Sequence, residues 1–259
     1  MRKLIFATAM LAPVMLFAQS PFDGTWKTLN DQSKFPKKPL TYSLSNGIYD
    51  STVPTTKIHI KADGQDHPVS GLPWDTLAVK EVDAHTLQLV TKKNGKVVYE
   101  QTRTASDDGK TITTKDTVHS PDSDQTTTSE ETLDRVGERS PGSHATSGSW
   151  KLQKVSQEEN QLLETYRRNG DELTWSNRAG ESWAAKFDGK AYLVKGSFVY
   201  DSVSLEQVND RTIKESFKHD GKLSIVNTVT VSPDGKKLTT VVDDKNFDGR
   251  VSTFVAEKQ

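Results

Sequence analysis

An internal repeat constrains the fold of this chain more than any other feature of its sequence. Gly24-Thr25-Trp26-Lys27 recurs as Gly148-Ser149-Trp150-Lys151, and Asp108-Gly109-Lys110 recurs as Asp234-Gly235-Lys236. The offset between matching segments stays between about 123 and 126 residues, which is the length of a domain rather than the short period of a solenoid. We therefore expect two tandem homologous domains, over residues 20–136 and 148–259. Residues 137–147 are rich in Gly, Ser and Pro, which predicts a flexible linker between them.

Each repeat has the alternation of apolar and polar residues that is typical of half-buried β-strands. Leu77 and Val79 alternate with polar residues in the first copy, as Val203 and Leu205 do in the second. Asn-Gly and Asp-Gly pairs separate the runs, and they favour type I′ hairpin turns because both central residues need a positive φ. The pattern predicts an all-β fold with roughly eight to ten antiparallel strands per repeat, closed as a barrel or packed as a sandwich. The chain contains no Cys, so no disulfide supports this fold.

One segment has conflicting local signals. Ser156-Gln-Glu-Glu159 has the pattern of a capping box, and apolar residues follow it at helical spacing. The corresponding stretch of the first copy, residues 40–49, lacks this pattern. Because homologous copies share a fold, we predict a hairpin over residues 162–176 that turns at Asn169-Gly170. A helical turn just before the hairpin is compatible with this prediction.

The first 19 residues have the order of regions found in secretory signal peptides. Arg2 and Lys3 precede an apolar run from Leu4 to Ala18. This run is shorter than the roughly 20 apolar residues of a membrane span, and it contains Pro13. We therefore expect an exported mature chain, periplasmic or secreted, that does not span a membrane. With 34 basic and 35 acidic residues, the chain also lacks the basic excess that nucleic-acid binding needs.

The first strand of each repeat carries a resemblance to a known family. Gly24-Thr25-Trp26 and Gly148-Ser149-Trp150 resemble the Gly-x-Trp signature of lipocalins and fatty-acid-binding proteins, the calycin group of up-and-down β-barrels. The glycine is expected to let the strand bend sharply, and the indole to fill the closed end of the barrel. The resemblance covers the whole mature chain and implies two tandem lipocalin-like barrels, similar to lipocalin-like proteins that bacteria export.

The resemblance also implies a function. It predicts a monomer without a cofactor that binds a small hydrophobic or amphiphilic molecule noncovalently inside a barrel. Two alternatives remain open. Only 33% of the residues are hydrophobic, which favours a structural or adhesive module with filled barrels. An enzyme built on a barrel mouth is the third class, although the sequence has no Cys nucleophile, Gly-x-Ser-x-Gly elbow or His pair at metal-ligand spacing.

The strand from Lys96 to Ala105 carries the candidate ligand-binding residues. Tyr99, Gln101 and Arg103 share one row, and the second copy has Val229 in the place of Arg103. An inward Arg beside Tyr and Gln is an arrangement that binds a carboxylate or phosphate headgroup. The alternative is that a bulge turns this row outward and leaves Arg103 in solvent.

Two aromatic residues at aligned positions complete the candidate set. Trp74 and Tyr200 follow the same turn in the two copies, and either contacts a flat ligand or fills a core. The row containing Glu215 raises the same question of facing, and we expect Glu215 to point outward.

Two further segments are expected to have structural roles only. Residues 244–249 match the first half of a calcium loop, but its twelfth position is Val255, where a bidentate Glu is needed. We therefore predict a plain hairpin turn there and no metal site. The run from Asp124 to Glu131, rich in Thr and Ser, is predicted to be an exposed edge strand.

Overall fold

The computed structural model describes residues 20–51, 56–246 and 250–259. The predicted signal peptide, residues 1–19, lies outside the described residues, as do residues 247–249 of the predicted calcium-loop-like turn. None of the helices in the described ranges is long and apolar enough to cross a membrane.

The described residues form twenty β-strands and two short 3₁₀ turns, Asn30–Gln32 and Glu159–Leu162. The strands are β1 (Gly24–Thr28), β2 (Leu40–Ser45), β3 (Ile48–Ser51), β4 (Ile58–Lys61), β5 (His67–Pro68), β6 (Thr76–Glu81), β7 (Thr86–Lys93), β8 (Lys96–Ala105), β9 (Thr111–His119), β10 (Thr126–Val136), β11 (Gly148–Gln157), β12 (Leu163–Asn169), β13 (Glu172–Asn177), β14 (Ser182–Lys186), β15 (Tyr192–Lys195), β16 (Ser202–Asn209), β17 (Thr212–His219), β18 (Lys222–Val231), β19 (Lys237–Asp244) and β20 (Arg250–Lys258).

These strands form two antiparallel sheets of ten strands each. The first is a closed barrel in the order β1-β12-β13-β14-β15-β16-β17-β18-β19-β20, in which β20 pairs back with β1. The second runs β4-β3-β2-β11-β10-β9-β8-β7-β6-β5, with β4 and β5 at its ends. We call them the closed barrel and the open barrel. Two antiparallel barrel-like sheets confirm the all-β fold that the repeat and the alternating pattern predict.

The first strand of each repeat lies in the sheet formed by the other repeat. β1 lies between β12 and β20, with Gly24 opposite Tyr166. β11 lies between β2 and β10, with Gly148 opposite Tyr42. The barrels therefore do not coincide with the predicted ranges 20–136 and 148–259, because residues 24–28 and 148–157 have exchanged places. The exchange keeps β11 paired with β10, the strand that precedes it in the chain, and antiparallel strands adjacent in sequence usually pair.

The connection between the repeats is packed over its second half. Ala145, Thr146 and Ser147 are buried, and the backbone N–H of His144 donates to the carbonyl of Leu44 at 2.9 Å. Arg135 donates from Nη1 to the carbonyl of Ser147 at 2.6 Å. The prediction of a flexible linker over 137–147 is therefore wrong for residues 144–147. These residues directly precede the exchanged strand β11 and pack against the open barrel.

The predicted hairpin and turns agree better with the structure than the predicted domain ranges do. β12 and β13 form the predicted hairpin, and the turn Glu159–Leu162 precedes it. Asn94 and Asp220 have positive φ angles of 50° and 49° before their glycines, as type I′ turns require. The edge strand expected at Asp124–Glu131 is wrong for residues 129–131, where β10 pairs on both sides, whereas residues 126–128 pair with β9 alone among the described strands.

The two Gly-x-Trp segments occupy equivalent places in opposite barrels. Trp26 is fully buried in the closed barrel and donates from Nε1 to the carbonyl of Phe22 at 2.9 Å. Lys258 lies over the Trp26 ring, with its Nζ 5.2 Å from the ring centroid. A Cβ at Gly24 would lie 2.6 Å from the Cε of Lys258, so the glycine makes room for the cation over the indole.

Candidate functional site

A cavity of about 560 Å³ lies inside the open barrel. Most of the residues that line it are apolar or aromatic: Leu40, Tyr42, Tyr49, Ile58, Trp74, Leu77, Leu89, Tyr99, Val118 and Leu152. Residues of the closed barrel complete its wall: Ala179, Glu181, Gly196, Phe198, Val199 and Arg250. The volume falls within the range of about 300–1,000 Å³ that is typical of small-molecule sites.

Strand β8 directs the predicted row into this cavity. Its pairing with β7 shifts register between Thr91 and Lys92, so that Val98 is an extra, buried residue. This bulge lies before Tyr99, and the row from Tyr99 through Gln101 to Arg103 faces inward. Arg103 is only 6% exposed. The structure therefore has Arg103, Gln101 and Tyr99 facing inward, which is one of the two alternatives that the sequence left open, although a bulge is indeed present.

The guanidinium of Arg103 is held by aromatic and amide groups. It stacks over the Tyr42 ring at 3.6 Å from the ring centroid, and Nη1 donates to the Tyr49 hydroxyl at 3.4 Å. Nη2 donates to Oε1 of Gln101. The Nε–H is buried without a hydrogen-bond partner, and none of the contacts that Arg103 makes within the described part of the chain is with a carboxylate. Because an arginine stays charged, this cavity contains a buried cation with unused donor capacity.

Asp116 is the nearest buried carboxylate in this network, and its oxygens are already engaged. Oδ1 accepts hydrogen bonds from the Tyr99 hydroxyl and, at 2.7 Å, from Nε2 of Gln101. Oδ2 accepts one from the Thr114 hydroxyl at 2.7 Å. Burial and the nearby Asp116 raise the pKa of Tyr99 well above its ordinary value. Gln101 thus joins Arg103 to Asp116 through the two ends of its amide.

Glu131 and Glu181 are the acidic residues that line this cavity among the described residues. The pKa of Glu131 is shifted. Burial is the main cause that raises its pKa to about 7, and Asp116 raises it further, while Arg250 and Arg103 oppose the shift. Neither Asp116 nor Glu131 is among the residues predicted from the sequence. The alternation Ile112, Thr114, Asp116 has the period of two that indicates an inward face, so the sequence contained a signal for Asp116. Glu131 lies in the segment expected to be an exposed edge strand, and that expectation places its side chain in solvent.

The remaining two predicted residues lie apart. Trp74 lines the cavity of the open barrel, and its buried Nε1–H has no partner within the part of the chain that the structure describes. Tyr200 lies in the closed barrel, where its ring packs 5.1 Å from that of Phe217. The structure therefore brings Arg103, Gln101, Tyr99 and Trp74 to one cavity and excludes Tyr200, because aligned positions of the two repeats lie in different barrels.

The expectation that Glu215 points outward is wrong. Glu215 is only 2% exposed and lies inside the closed barrel. Its Oε1 accepts a hydrogen bond from the Tyr166 hydroxyl at 2.9 Å, and its Oε2 accepts one from Nδ2 of Asn227 at 3.1 Å. Burial raises its pKa to about 7, although both hydrogen bonds oppose the shift. The two hydrogen bonds, together with protonation of the carboxyl group, lower the free-energy cost of burying Glu215 in the closed barrel.

The two barrels therefore differ in one buried ionisable group: an arginine in the open barrel and a glutamate in the closed barrel. Arg103 corresponds to Val229, and Glu215 corresponds to Leu89, at the same offset of 126 residues. Tyr42 contacts Arg103 in the open barrel, and its counterpart Tyr166 contacts Glu215 in the closed barrel. The repeats share a fold but present different chemistry to their interiors.

The described residues contain no group of three or more His, Cys, Asp or Glu side chains arranged to hold a metal ion. At the calcium-loop-like turn, Oδ1 of Asp244 accepts a hydrogen bond from the backbone N–H of Asn246 at 2.9 Å. Whether this turn is a plain hairpin stays a prediction, because residues 247–249 lie outside the described ranges.

Comparisons with protein-family models, with curated protein sequences and with solved structures found no match to this chain.

Proposed function

We propose that this chain is an exported lipocalin-like protein whose open barrel binds a small amphiphile with an acidic headgroup. The observation that carries the proposal is the buried Arg103, with its unpartnered Nε–H, in a largely apolar cavity of about 560 Å³. The lipocalin-like identity and the export rest on the Gly-x-Trp segments and on the signal-peptide pattern of residues 1–19.

The headgroup chemistry follows from the donors that the cavity offers. Arg103 Nε and Trp74 Nε1 are buried N–H groups that have no partner in the described ranges, and a buried donor left unsatisfied costs roughly 1–3 kcal/mol. A ligand carboxylate or phosphate would satisfy the Arg103 donor and neutralise its charge. Asp116 does not replace this anion, because its oxygens already accept three hydrogen bonds.

The side chains that line the cavity indicate that the rest of the ligand is apolar. Leu40, Leu77, Leu89, Val118 and Leu152 present aliphatic surface to the same cavity. Burial of a hydrocarbon chain against them gains about 25 cal/mol per Å² of apolar surface removed from water. The cavity favours this proposal over a structural module with filled barrels.

A displacement assay with a matched pair of ligands tests the proposal. The probe is the anionic dye 1-anilinonaphthalene-8-sulfonate, and the competitors are decanoate and its neutral analogue decanol. We expect decanoate to displace the dye at a concentration about tenfold lower than decanol, a preference of roughly 1.4 kcal/mol. Arg103→Leu should abolish this preference. Lys115→Leu, which removes an exposed cation from the neighbouring strand β9, should retain it.

Two results would contradict the proposal: equal displacement by decanoate and decanol in the unmodified protein, or an unchanged preference in Arg103→Leu. Near-UV circular dichroism checks that the variant is folded. If it is not, Trp74→Phe provides the second test, since it keeps an aromatic ring and removes only the Nε1–H donor. It should weaken decanoate binding severalfold and decanol binding less, because a carboxylate accepts a stronger hydrogen bond from the indole than a hydroxyl oxygen does.

Export has its own test. Expression of the full chain in a bacterial host, followed by intact-mass measurement of the periplasmic or secreted fraction, should give a mature protein that begins near Gln19. Retention of residues 1–19 on the intact chain would contradict the export proposal. Native mass spectrometry of the same sample should show a monomer.

A further inference from the structure

A second cavity, of about 200 Å³, lies inside the closed barrel. Glu164, Glu181 and Glu215 line it, together with the aromatic residues Tyr166, Trp175, Tyr200 and Phe217. None of the described residues that line this cavity is basic. Its volume is below the usual range for drug-sized ligands, so an occupant has to be small.

When they are ionised, the carboxyl groups create a negative potential, and the described residues that line the cavity include no counter-ion for it. Glu215 accepts its hydrogen bonds from a phenol and an amide, and Glu164 accepts one from Nε1 of Trp175 at 2.8 Å. These partners are neutral. Burial raises the pKa of Glu164 as well as that of Glu215, which is the response of carboxyl groups that lack a nearby cation.

The aromatic side chains supply the second feature of a cation site. Trp175 stacks on Trp183 with ring centroids 6.2 Å apart, and Tyr166 packs edge-on against Trp183 at the same separation. Tyr200 and Phe217 line another part of the cavity. The faces of such rings carry negative electrostatic potential and attract ammonium groups, most strongly where water is excluded.

A buried hydrogen-bond acceptor on Asn227 is the third feature of the proposed cation site. Oδ1 of Asn227 is buried and has no hydrogen-bond partner among the described residues, while Nδ2 of the same side chain donates to Glu215. A buried acceptor without a partner calls for a donor from outside the protein. An N–H group between Asn227 and Glu215 would satisfy it and would pair with the carboxylate.

We propose that the closed barrel binds a small organic ammonium ion, with Glu215 as its counter-ion, Asn227 as a hydrogen-bond acceptor and the aromatic side chains as its walls. The proposal goes beyond the anionic amphiphile of the open barrel and does not depend on it. The two sites would take ligands of opposite charge on the same duplicated framework. Glu181 lines both cavities, so they approach each other at this residue.

Calorimetric titration with propylammonium chloride tests the proposal, and 1-propanol serves as the neutral ligand of similar size. The titration is done above pH 7, where the Glu215 carboxyl is mainly ionised. We expect saturable binding of one propylammonium per chain, with an affinity about tenfold or more above that of propanol. Glu215→Gln should lower propylammonium affinity about tenfold. The matched control Glu206→Gln removes an exposed carboxylate from strand β16 and should leave the affinity unchanged.

A second variant keeps the test decisive if Glu215→Gln fails to fold. Tyr200→Leu removes one aromatic wall without touching the hydrogen bonds of Glu215, and it should weaken propylammonium binding severalfold. Saturation with decanoate before the titration separates the two sites, since propylammonium should still bind. No saturable heat with the unmodified protein, equal affinity for propylammonium and propanol, or unchanged affinity in both variants would overturn the proposal.

Discussion

Trp26 and Trp150 are equivalent residues of the two repeats that lie in opposite barrels, each buried in the sheet that the other repeat mainly forms. Their surroundings match closely. Each indole N–H donates at 2.9 Å to the carbonyl four residues before it, and each ring has a cation over its face, Lys258 or Arg135. The two repeats are therefore interlocked by their first strands.

The strand exchange predicts which barrel is destabilised when each tryptophan is replaced by alanine. Trp26→Ala should destabilise the closed barrel by about 3–5 kcal/mol, because it removes a fully buried aromatic side chain. Hydrogen exchange should then lose protection mainly in residues 163–258. Trp150→Ala should instead expose peptides of the open barrel. Loss of protection confined to residues 40–136 in Trp26→Ala would contradict the strand exchange.

The interlocking also predicts the behaviour of a cut chain. A protease site placed within the exposed residues 138–142 leaves β1 and β11 on different fragments from most of their barrels. Separation of the fragments requires each strand to be released from two neighbours, so we expect them to co-elute in gel filtration under native conditions. Denaturant should separate them. Separation in buffer without denaturant would be inconsistent with the exchange.

Glu215 predicts a pH dependence of folding stability. Its pKa is raised by burial from 4.5 to about 7, so between these values the folded protein holds a proton that the unfolded chain releases. Stability from this group is therefore full below pH 4.5 and falls as the pH rises towards 7, by about 3 kcal/mol in total.

Glu215→Gln cannot lose this proton and should flatten that part of the profile. Urea unfolding of both proteins across the window measures the difference, with Glu206→Gln as the surface control. A constant difference between Glu215→Gln and the unmodified protein would show that Glu215 does not titrate in this range.

Glu131 predicts a pH dependence of anion binding in the open barrel. Its pKa is raised to about 7, chiefly by burial. The other charged side chains that line the cavity are Arg103, Arg250 and Glu181, and Asp116 contacts the same network through Gln101. As the pH rises through 7, ionised Glu131 repels a bound carboxylate, so decanoate affinity should fall. Glu131→Gln should remove most of this fall, and an equally steep profile in that variant would exclude Glu131 as its source.

Sequence reasoning succeeds here where the two repeats can be compared or where the signal lies along one strand. The hairpin at Asn169-Gly170 follows from the comparison with the other repeat, against a capping-box pattern that favours a helix. The facing of Arg103 follows from the period of two along a single strand, because the bulge at Val98 lies before it. Glu215 shows the limit of the same reasoning. The alternation along its strand predicts that Glu215 faces inward, but the free-energy cost of burying a carboxylate favours an outward position. The hydrogen bonds from Tyr166 and Asn227, which lie on other strands, offset that cost, and the sequence does not show them.

The sequence by itself determined the duplicated all-β architecture, because strand alternation and turn residues act over a few positions and recur in both copies. It also determined that one repeat places an Arg where the other has Val229. Only the tertiary structure decided which sheet receives each Gly-x-Trp strand. The two strands share the Gly-x-Trp-Lys segment, which does not by itself select a sheet. The placement of β1 depends on long-range pairing with β12 and β20, and that of β11 on pairing with the distant β2 as well as with the adjacent β10. The tertiary structure likewise decided which buried charges meet, since Arg103, Asp116 and Glu131 come from separate strands whose side chains converge only when the sheet curves around the cavity.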